Sequence, residues 1–204
     1  MGVMRRRGSE SGAAGVEFAL VFPLLLLLTF GIIEMGLVFY QMNMFEKATQ
    51  VGVRKAITWD PVAPTLANYS AAETGVGAGL PLPANLQLEI ICNNSGCTGT
   101  GAITDPGFSS AAFNAVVANM QSIYAGIKPE NVVITYRHVG LGWVGRPGGS
   151  VVPAVTVGLR NMSYDFILLD VAVTICTAGA VNINNIFYPS FSATLIGEDL
   201  DDGA

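Results

Sequence analysis

The chain contains one apolar run long enough to cross a membrane, and this run limits the folds open to the rest of the sequence. From Phe18 to Ile33 no residue is charged, and Thr29 is the only polar side chain. Extended to Tyr40, the run would form a helix of about 35 Å, which exceeds the ~30 Å hydrocarbon core of a bilayer. The sequence predicts one transmembrane helix over about residues 18–40.

A cleaved secretory signal peptide is the alternative interpretation of this run. The apolar region of a signal peptide has about 7–15 residues and ends in a small-x-small cleavage site. Here the run is longer, and residues 32–35 (IIEM) offer no such site, so an uncleaved anchor is favoured. The basic triplet at residues 5–7 favours a cytoplasmic N-terminus. The difference in positive charge between the two ends of the span is reduced by three basic residues that follow it: Lys47, Arg54 and Lys55.

The overall composition is low in charge and argues against a nucleic-acid-binding protein. Hydrophobic residues make up 51% of the 204 residues, charged residues make up 12%, and the net charge is −5. Apart from the triplet at residues 5–7, the lysines and arginines do not cluster. No basic stripe is therefore available to neutralise phosphates, which argues against nucleic acid as a partner.

The helix is predicted to continue beyond the membrane, over residues 13–58 in all. Apolar or small residues recur there at three- and four-residue steps, the pattern of an amphipathic helix: Val38, Met42, Phe45, Thr49, Gly52, Val53 and Ala56. Asp60-Pro61 and Pro64 cannot continue the helix. One face of this second half should therefore pack against a domain.

That domain is predicted over residues 59–197, followed by an acidic tail at 198–204. Alternating or apolar stretches predict strands at Leu86–Cys92, Asn131–Val139, Val151–Arg160 and Ser190–Ile196, with Phe166–Cys176 as a buried strand and Ser109–Ile127 as a helix. Strands with short connections and an interposed helix indicate an antiparallel sheet. The predicted class is α+β.

Motif searching reveals no active site. Gly140-x-Gly142-x-x-Gly145 matches the dinucleotide fingerprint, but another strand follows it where the fingerprint requires a helix, so a hairpin loop is favoured. His138 is the sole histidine and lacks nearby partners for a triad or metal site. We expect no enzymatic activity, no cofactor, no metal and no small-molecule substrate.

The three cysteines bear on the compartment. Cys92 and Cys97 enclose the turn-forming segment NNSG, which could bring them within disulfide range, and their spacing is not that of a CxxC redox or zinc motif. In an oxidising compartment we expect a small structural disulfide, the alternative being two ordinary thiols. Cys176 lies in an apolar run and is expected to be a buried free thiol.

A charge at the edge of a membrane span is costly, which makes Glu17 a functional candidate. The stretch GAAGVEF, from Gly12 to Phe18, resembles the processing site of type IV pilins, in which a Gly is followed by four residues, a Glu and an aromatic residue. Residues 5–56 more closely resemble the TadE-like family of tight-adherence (Flp-type) pilus assembly pseudopilins. The shared features are the VEFAL start, Pro23, the Leu run and the GIIExG segment at residues 31–36.

The resemblance implies a pilin-like fold and a processed, inner-membrane protein. A prepilin peptidase would remove residues 1–12 as a cytoplasmic leader, leaving Ala13 as the first mature residue, recognised with Gly12, Glu17 and Phe18. Gly15 is the alternative cleavage site, but it would make Glu17 only the second mature residue. The implied partners are the membrane, other pseudopilins and the pilus assembly platform, with the C-terminal domain in the periplasm.

Glu17 and Glu34 are both candidates for a contact with a neighbouring helix in the membrane. For Glu34 a surface carboxylate that reaches toward the headgroups is an equal alternative. Two other functions stay open on the sequence alone: a single-span periplasmic binding module in which the Glu17 motif is coincidental, and, more weakly, an anchored hydrolase.

Overall fold

The computed structural model describes residues 10–72, 75–146, 149–181, 183 and 185–197. The fold is α+β, as predicted: a long N-terminal helix is followed by an antiparallel sheet and further helices. The described residues form two compact units. The anchor unit comprises those up to Gln41 together with Ser163–Phe187, and the sheet unit comprises Met42–Met162 and those from Tyr188 onward. The acidic tail and residues 1–9 of the expected leader lie outside the described residues.

Helix α1 runs without interruption from Glu10 to Ile57 and contributes to both units. In the part of the chain that the structure describes, it is the one helix whose length and composition suit a membrane span. Thr29 donates its hydroxyl to the carbonyls of Leu25 and Leu26 at 2.9 Å, so this polar group is satisfied inside the helix, as lipid requires. Arg54 and Lys55 lie in the last turn, where positive charge complements the helix dipole.

The anchor unit adds a short helix and a short strand pair to the first part of α1. Helix α4 spans Leu168–Cys176. It is flanked by strands β5 (Ser163–Asp165) and β6 (Asn185–Phe187), which pair antiparallel with Tyr164 opposite Ile186. This pair closes a loop that has α4 within it.

The sheet unit is built on a five-stranded antiparallel sheet. Its strands are β1 (Leu88–Asn93), β2 (Gly96–Gly101), β3 (Val132–Gly142), β4 (Val151–Leu159) and β7 (Phe191–Ile196). Their order in the sheet is β2-β1-β3-β4-β7. Helix α2 (Thr65–Asn68) and helix α3 (Ser110–Gln121) complete the unit, with a 3₁₀ turn at Pro129–Asn131. Alternate residues of β4 are buried along its whole length, which is the period expected of a strand with one covered face.

The second half of α1 packs in the core of the sheet unit along the predicted stripe. Phe45, Thr49 and Val53 are buried, and the ring of Phe45 meets those of Tyr124 and Tyr188 edge-on, with centroids 5.1 Å apart in each case. The amphipathic prediction for this half is therefore confirmed. A Cβ at Gly52 would lie 2.8 Å from the Met120 side chain and 3.2 Å from Val157, so glycine permits close contact with α3 and β4.

Tyr136 lies at the centre of the sheet and is fully buried. Its hydroxyl oxygen accepts a hydrogen bond from the backbone N–H of Val62 at 3.1 Å. Burial raises the pKa of Tyr136 to about 12, an effect that the Val62 hydrogen bond partly opposes. The phenol therefore stays neutral at physiological pH and anchors the segment that follows α1.

Two predicted elements differ from the structure. The expected buried strand at Phe166–Cys176 is wrong, because residues 168–176 form helix α4; a short continuous apolar run does not distinguish a strand from a helix. The helix predicted over Ser109–Ile127 ends at Gln121. The side-chain amide of Gln121 donates to the carbonyl of Ile127 at 2.8 Å, so the residues between them turn back, although Ile127 itself is buried.

Candidate membrane-assembly site

The residues predicted for processing lie near the start of α1. Gly12, Glu17 and Phe18 are exposed, and the ring of Phe18 stacks on that of Phe22 with centroids 5.2 Å apart. Glu17 has no hydrogen-bond or ion-pair partner among the described residues. Its carboxylate is therefore available to a partner outside the described chain. Cleavage after Gly12 stays a prediction.

The second predicted carboxylate, Glu34, lies in a different environment. Glu34 is 1% exposed. Its Oε1 accepts hydrogen bonds from the backbone N–H groups of Ile167 at 2.6 Å and Leu168 at 2.7 Å. Its Oε2 accepts a third from Leu169 at 2.8 Å. One carboxylate of α1 thus binds three consecutive amides at the start of α4.

These three amides are among the four that a helix leaves without an intrahelical acceptor at its start. The N-cap residue of α4 is Ile167, and it provides no side-chain cap. The carboxylate of Glu34 takes the place of the missing cap, and its negative charge faces the positive end of the helix dipole. Hydrogen bonds from neutral amides to a charged acceptor are stronger than bonds between neutral groups, so the contact suits a site with little water.

The structure corrects the interpretation of Glu34 as a surface carboxylate. The residue is buried, and its partners belong to the same chain rather than to a neighbouring helix. Sequence reasoning missed the contact because the partners are backbone amides 133–135 residues away, and backbone amides carry no sequence signature. The indirect signal was a charged residue retained within a predicted membrane span.

Small and apolar residues complete the contact between α1 and α4. A Cβ at Gly31 would lie 3.9 Å from Leu169 Cδ1, so Leu169 packs directly over the glycine. The covered residues of α1 in the anchor unit are Leu26, Phe30, Gly31, Glu34, Val38 and Gln41. They fall mostly at four-residue steps and so share one face of the helix. The other residues of α1 from Ala14 to Tyr40 are exposed within the chain.

The cysteines lie in both units. Cys92 and Cys97 form a disulfide across the hairpin of β1 and β2, where they are opposite each other in the register. Whether the bond forms in the cell depends on the compartment and stays a prediction. Cys176 is a free thiol at the end of α4, but it is exposed, so the expectation that it is buried was wrong. The error follows from treating its segment as a strand in the core.

His138 and the glycine motif at residues 140–145, neither of which the sequence favours as an active site, lie in β3 and in the hairpin that joins β3 to β4. His138 is 8% exposed, and its Nε2 lies 3.2 Å from both the carbonyl oxygen of Pro83 and the N–H of Gly140. Gly140 and Gly142 adopt positive φ angles at a register shift in β3, a conformation that glycine accommodates without strain. Within the described residues, no group of three or more His, Cys, Asp and Glu side chains is placed to hold a metal.

Replacing Glu34 should loosen α4 in proportion to the number of hydrogen bonds lost. In Glu34→Gln the amide oxygen can retain the bonds from Ile167 and Leu168, but its NH₂ group faces the N–H of Leu169. An unsatisfied buried donor costs about 1–3 kcal/mol, so we expect a loss of that order. Glu34→Ala loses all three acceptor contacts and should be less stable still. Limited proteolysis of residues 163–187 in detergent micelles measures both effects.

Glu17→Gln is the matched control, because it makes the same chemical change on the same helix at an exposed carboxylate. Its cleavage pattern should equal that of the unsubstituted chain. Equal proteolysis of segment 163–187 in Glu34→Ala and Glu17→Gln would show that the carboxylate does not hold α4.

Comparison with known proteins bears on the part of the chain that carries these carboxylates. Residues 12–54 match the family model described as TadE-like protein. The chain matches no curated protein and no solved structure. The matched segment contains Glu17, Glu34 and nearly all of α1, which is the region where the sequence resembled this family. That resemblance is confirmed over this segment: residues 12–54 are TadE-like, and they lie on an N-terminal helix whose length and composition suit membrane anchoring.

Proposed function

We propose that the protein is a minor pseudopilin that takes part in initiating or assembling a tight-adherence (Flp-type) pilus. The observation that carries this proposal is the TadE-like match over residues 12–54, on a continuous helix that leaves Glu17 without a partner in the described chain. The sheet unit provides a folded domain, and no catalytic role is assigned to it. In the proposed role the chain acts by binding other subunits.

Processing by a prepilin peptidase is the first step of the proposed role. A cut after Gly12 breaks one peptide bond and gives Ala13 a free ammonium. Ala13 and Glu17 are four residues apart in α1, so they lie on the same face about one turn apart. The mature N-terminus thus carries a positive and a negative group close together, at the inner edge of the membrane span.

These two charges suit pairing between neighbouring subunits. When two helices lie side by side, the Glu17 carboxylate of one can meet the Ala13 ammonium of the other. In low dielectric the attraction is strong, but much of it offsets the cost of removing both charges from water. The value of the pair therefore lies mainly in setting register and partner choice, as polar groups do in helix packing generally.

The proposed topology places the N-terminus in the cytoplasm and the sheet unit in the periplasm. The basic triplet at residues 5–7 favours this orientation. The disulfide between Cys92 and Cys97 suits an oxidising compartment. The assembly platform and other pseudopilins would then contact α1 within the inner membrane.

Substitutions at the processing site test the proposed role directly. Gly12→Leu should block cleavage, because a small residue must fit the peptidase before the cut. Glu17→Gln keeps the size of the side chain but removes its charge, so the protein should still be inserted and cut after Gly12 while pilus assembly falls sharply. Intact mass and N-terminal sequencing report the cut, and counting pili by electron microscopy reports assembly.

Glu46→Gln is a suitable control, since Glu46 is an exposed carboxylate of α1 in the sheet unit; it should leave both processing and pili unchanged. A piliated strain in which the protein keeps Met1, or begins at Val16, would reject the cut after Gly12. Normal pili in Glu17→Gln would reject the charge pairing.

Thiol counting tests the envelope location. In protein taken from the membrane fraction and denatured without reductant, only one of the three cysteines should react with a maleimide, namely Cys176. After reduction all three should react, which serves as the internal control. Labelling of all three before reduction would contradict both the disulfide in the cell and the periplasmic placement.

A further inference from the structure

We propose that α4 lies in the outer boundary layer of the membrane, so that the chain contacts lipid through a second segment besides α1. The outer boundary here means the one farther from the N-terminus. The proposed contact residues are Ile167, Val171 and Ile175. The inference rests on α1 as the membrane anchor, and it is independent of any role in a pilus.

The depth of α4 follows from the residue that binds it. Glu34 lies sixteen positions after Phe18, the first residue of the charge-free run. At the helical rise this is about 24 Å of a hydrocarbon core of ~30 Å. Glu34 holds the first amides of α4 at 2.6–2.8 Å, so the start of α4 lies at the same depth, a few ångströms inside the outer boundary. Tilting α1 would place it deeper.

A helix at this depth must present apolar side chains to lipid, and the uncovered face of α4 does so. Ile167, Val171 and Ile175 are 69%, 55% and 75% exposed. They recur every four residues, so they form one face. Ala172 is buried, and Leu169 packs over Gly31 on α1. The helix thus covers α1 with one side and leaves its most apolar side uncovered in the chain. A short helix that lies in the membrane surface presents such a face to lipid.

The uncovered surface of α1 next to α4 is also apolar. An apolar groove of about 600 Å³ is lined by Leu169 and by residues of α1 that include Leu28, Ile32 and Phe39. Phe39 and Tyr40 are both more than half exposed on α1, and Phe187 in β6 is 73% exposed. Aromatic side chains are enriched at the membrane–water boundary. The lipid-facing surface of α1 therefore continues onto the segment that contains α4.

The charges of this segment define what kind of lipid contact it makes. Residues 163–187 contain no Lys, Arg or His and only two acidic residues, Asp165 and Asp170. The carboxylate of Asp170 accepts a hydrogen bond from the N–H of Ile183 at 3.0 Å, so it has a partner within the chain. Attraction to anionic headgroups cannot drive the contact. Binding should depend on acyl chains and not on lipid charge or salt.

The native thiol at position 176 provides a probe at the end of α4. The full-length chain, with Cys92 and Cys97 kept oxidised, is labelled at Cys176 with an environment-sensitive fluorophore and reconstituted into phosphatidylcholine vesicles. Bromine atoms on the acyl chains quench fluorophores that they touch. We expect bromines near the headgroups to quench the Cys176 label several-fold more than bromines near the bilayer centre. Adding phosphatidylglycerol or salt should not change the result.

Two control variants, both with Cys176→Ser, separate failure of this inference from failure of the anchor. Leu28→Cys places the label in the middle of the span and should be quenched most by deep bromines. Ser122→Cys places it on an exposed residue of the sheet unit and should not be quenched. If the Leu28 control fails, α1 is not the anchor and both conclusions fall.

If the Leu28 control succeeds, two results at Cys176 would overturn the inference. Quenching by aqueous iodide without quenching by bromolipid would place α4 in water. Protection from both quenchers would show that α4 is covered by protein, such as a second copy of the chain.

Discussion

The contact between the Glu34 carboxylate and three backbone amides is the interaction on which the anchor unit depends. A buried carboxylate without partners is strongly destabilising, and so are three unsatisfied N–H groups at a helix start. Here the carboxylate accepts the hydrogen bonds of the three N–H groups, so that neither the charge nor the amides are left without partners. The pairing joins residues more than 130 positions apart, so it fixes a late segment of the chain to the membrane helix. Removing either side would leave the other buried and unsatisfied, which is the costly case for buried charges.

Two carboxylates on one helix thus have different physical roles. Glu34 has its acceptor oxygens occupied inside the chain, whereas Glu17 is exposed and has no partner among the described residues. A satisfied carboxylate adds to the stability of its own fold, and an unsatisfied one near lipid favours any subunit that offers a positive group. The proposed assembly function needs both carboxylates. Glu34 fixes the fold of the anchor unit, and Glu17 can pair with a positive group of another subunit.

The elements that sequence reasoning identified correctly are those whose signal is local. The stripe along the second half of α1 and the alternation in β4 follow directly from period and polarity. Helix α4 was mistaken for a strand because its cap comes from Glu34, far away in the sequence, and not from a Ser, Thr, Asp or Asn beside it. Strand β2 was missed because Gly96–Gly101 contains three glycines, which have low strand propensity; its pairing with β1 and the cysteine bridge define it instead.

The most direct test of this account is amide hydrogen exchange at Ile167, Leu168 and Leu169 in the full-length chain in lipid nanodiscs. The first amides of a helix normally exchange fast, because they lack an intrahelical acceptor. If Glu34 binds them, they should exchange as slowly as amides in the middle of α4, and Glu34→Ala should restore fast exchange there while leaving the amides of α3 unchanged. Fast exchange of all three in the unsubstituted chain, with the middle of α4 protected, would contradict the account.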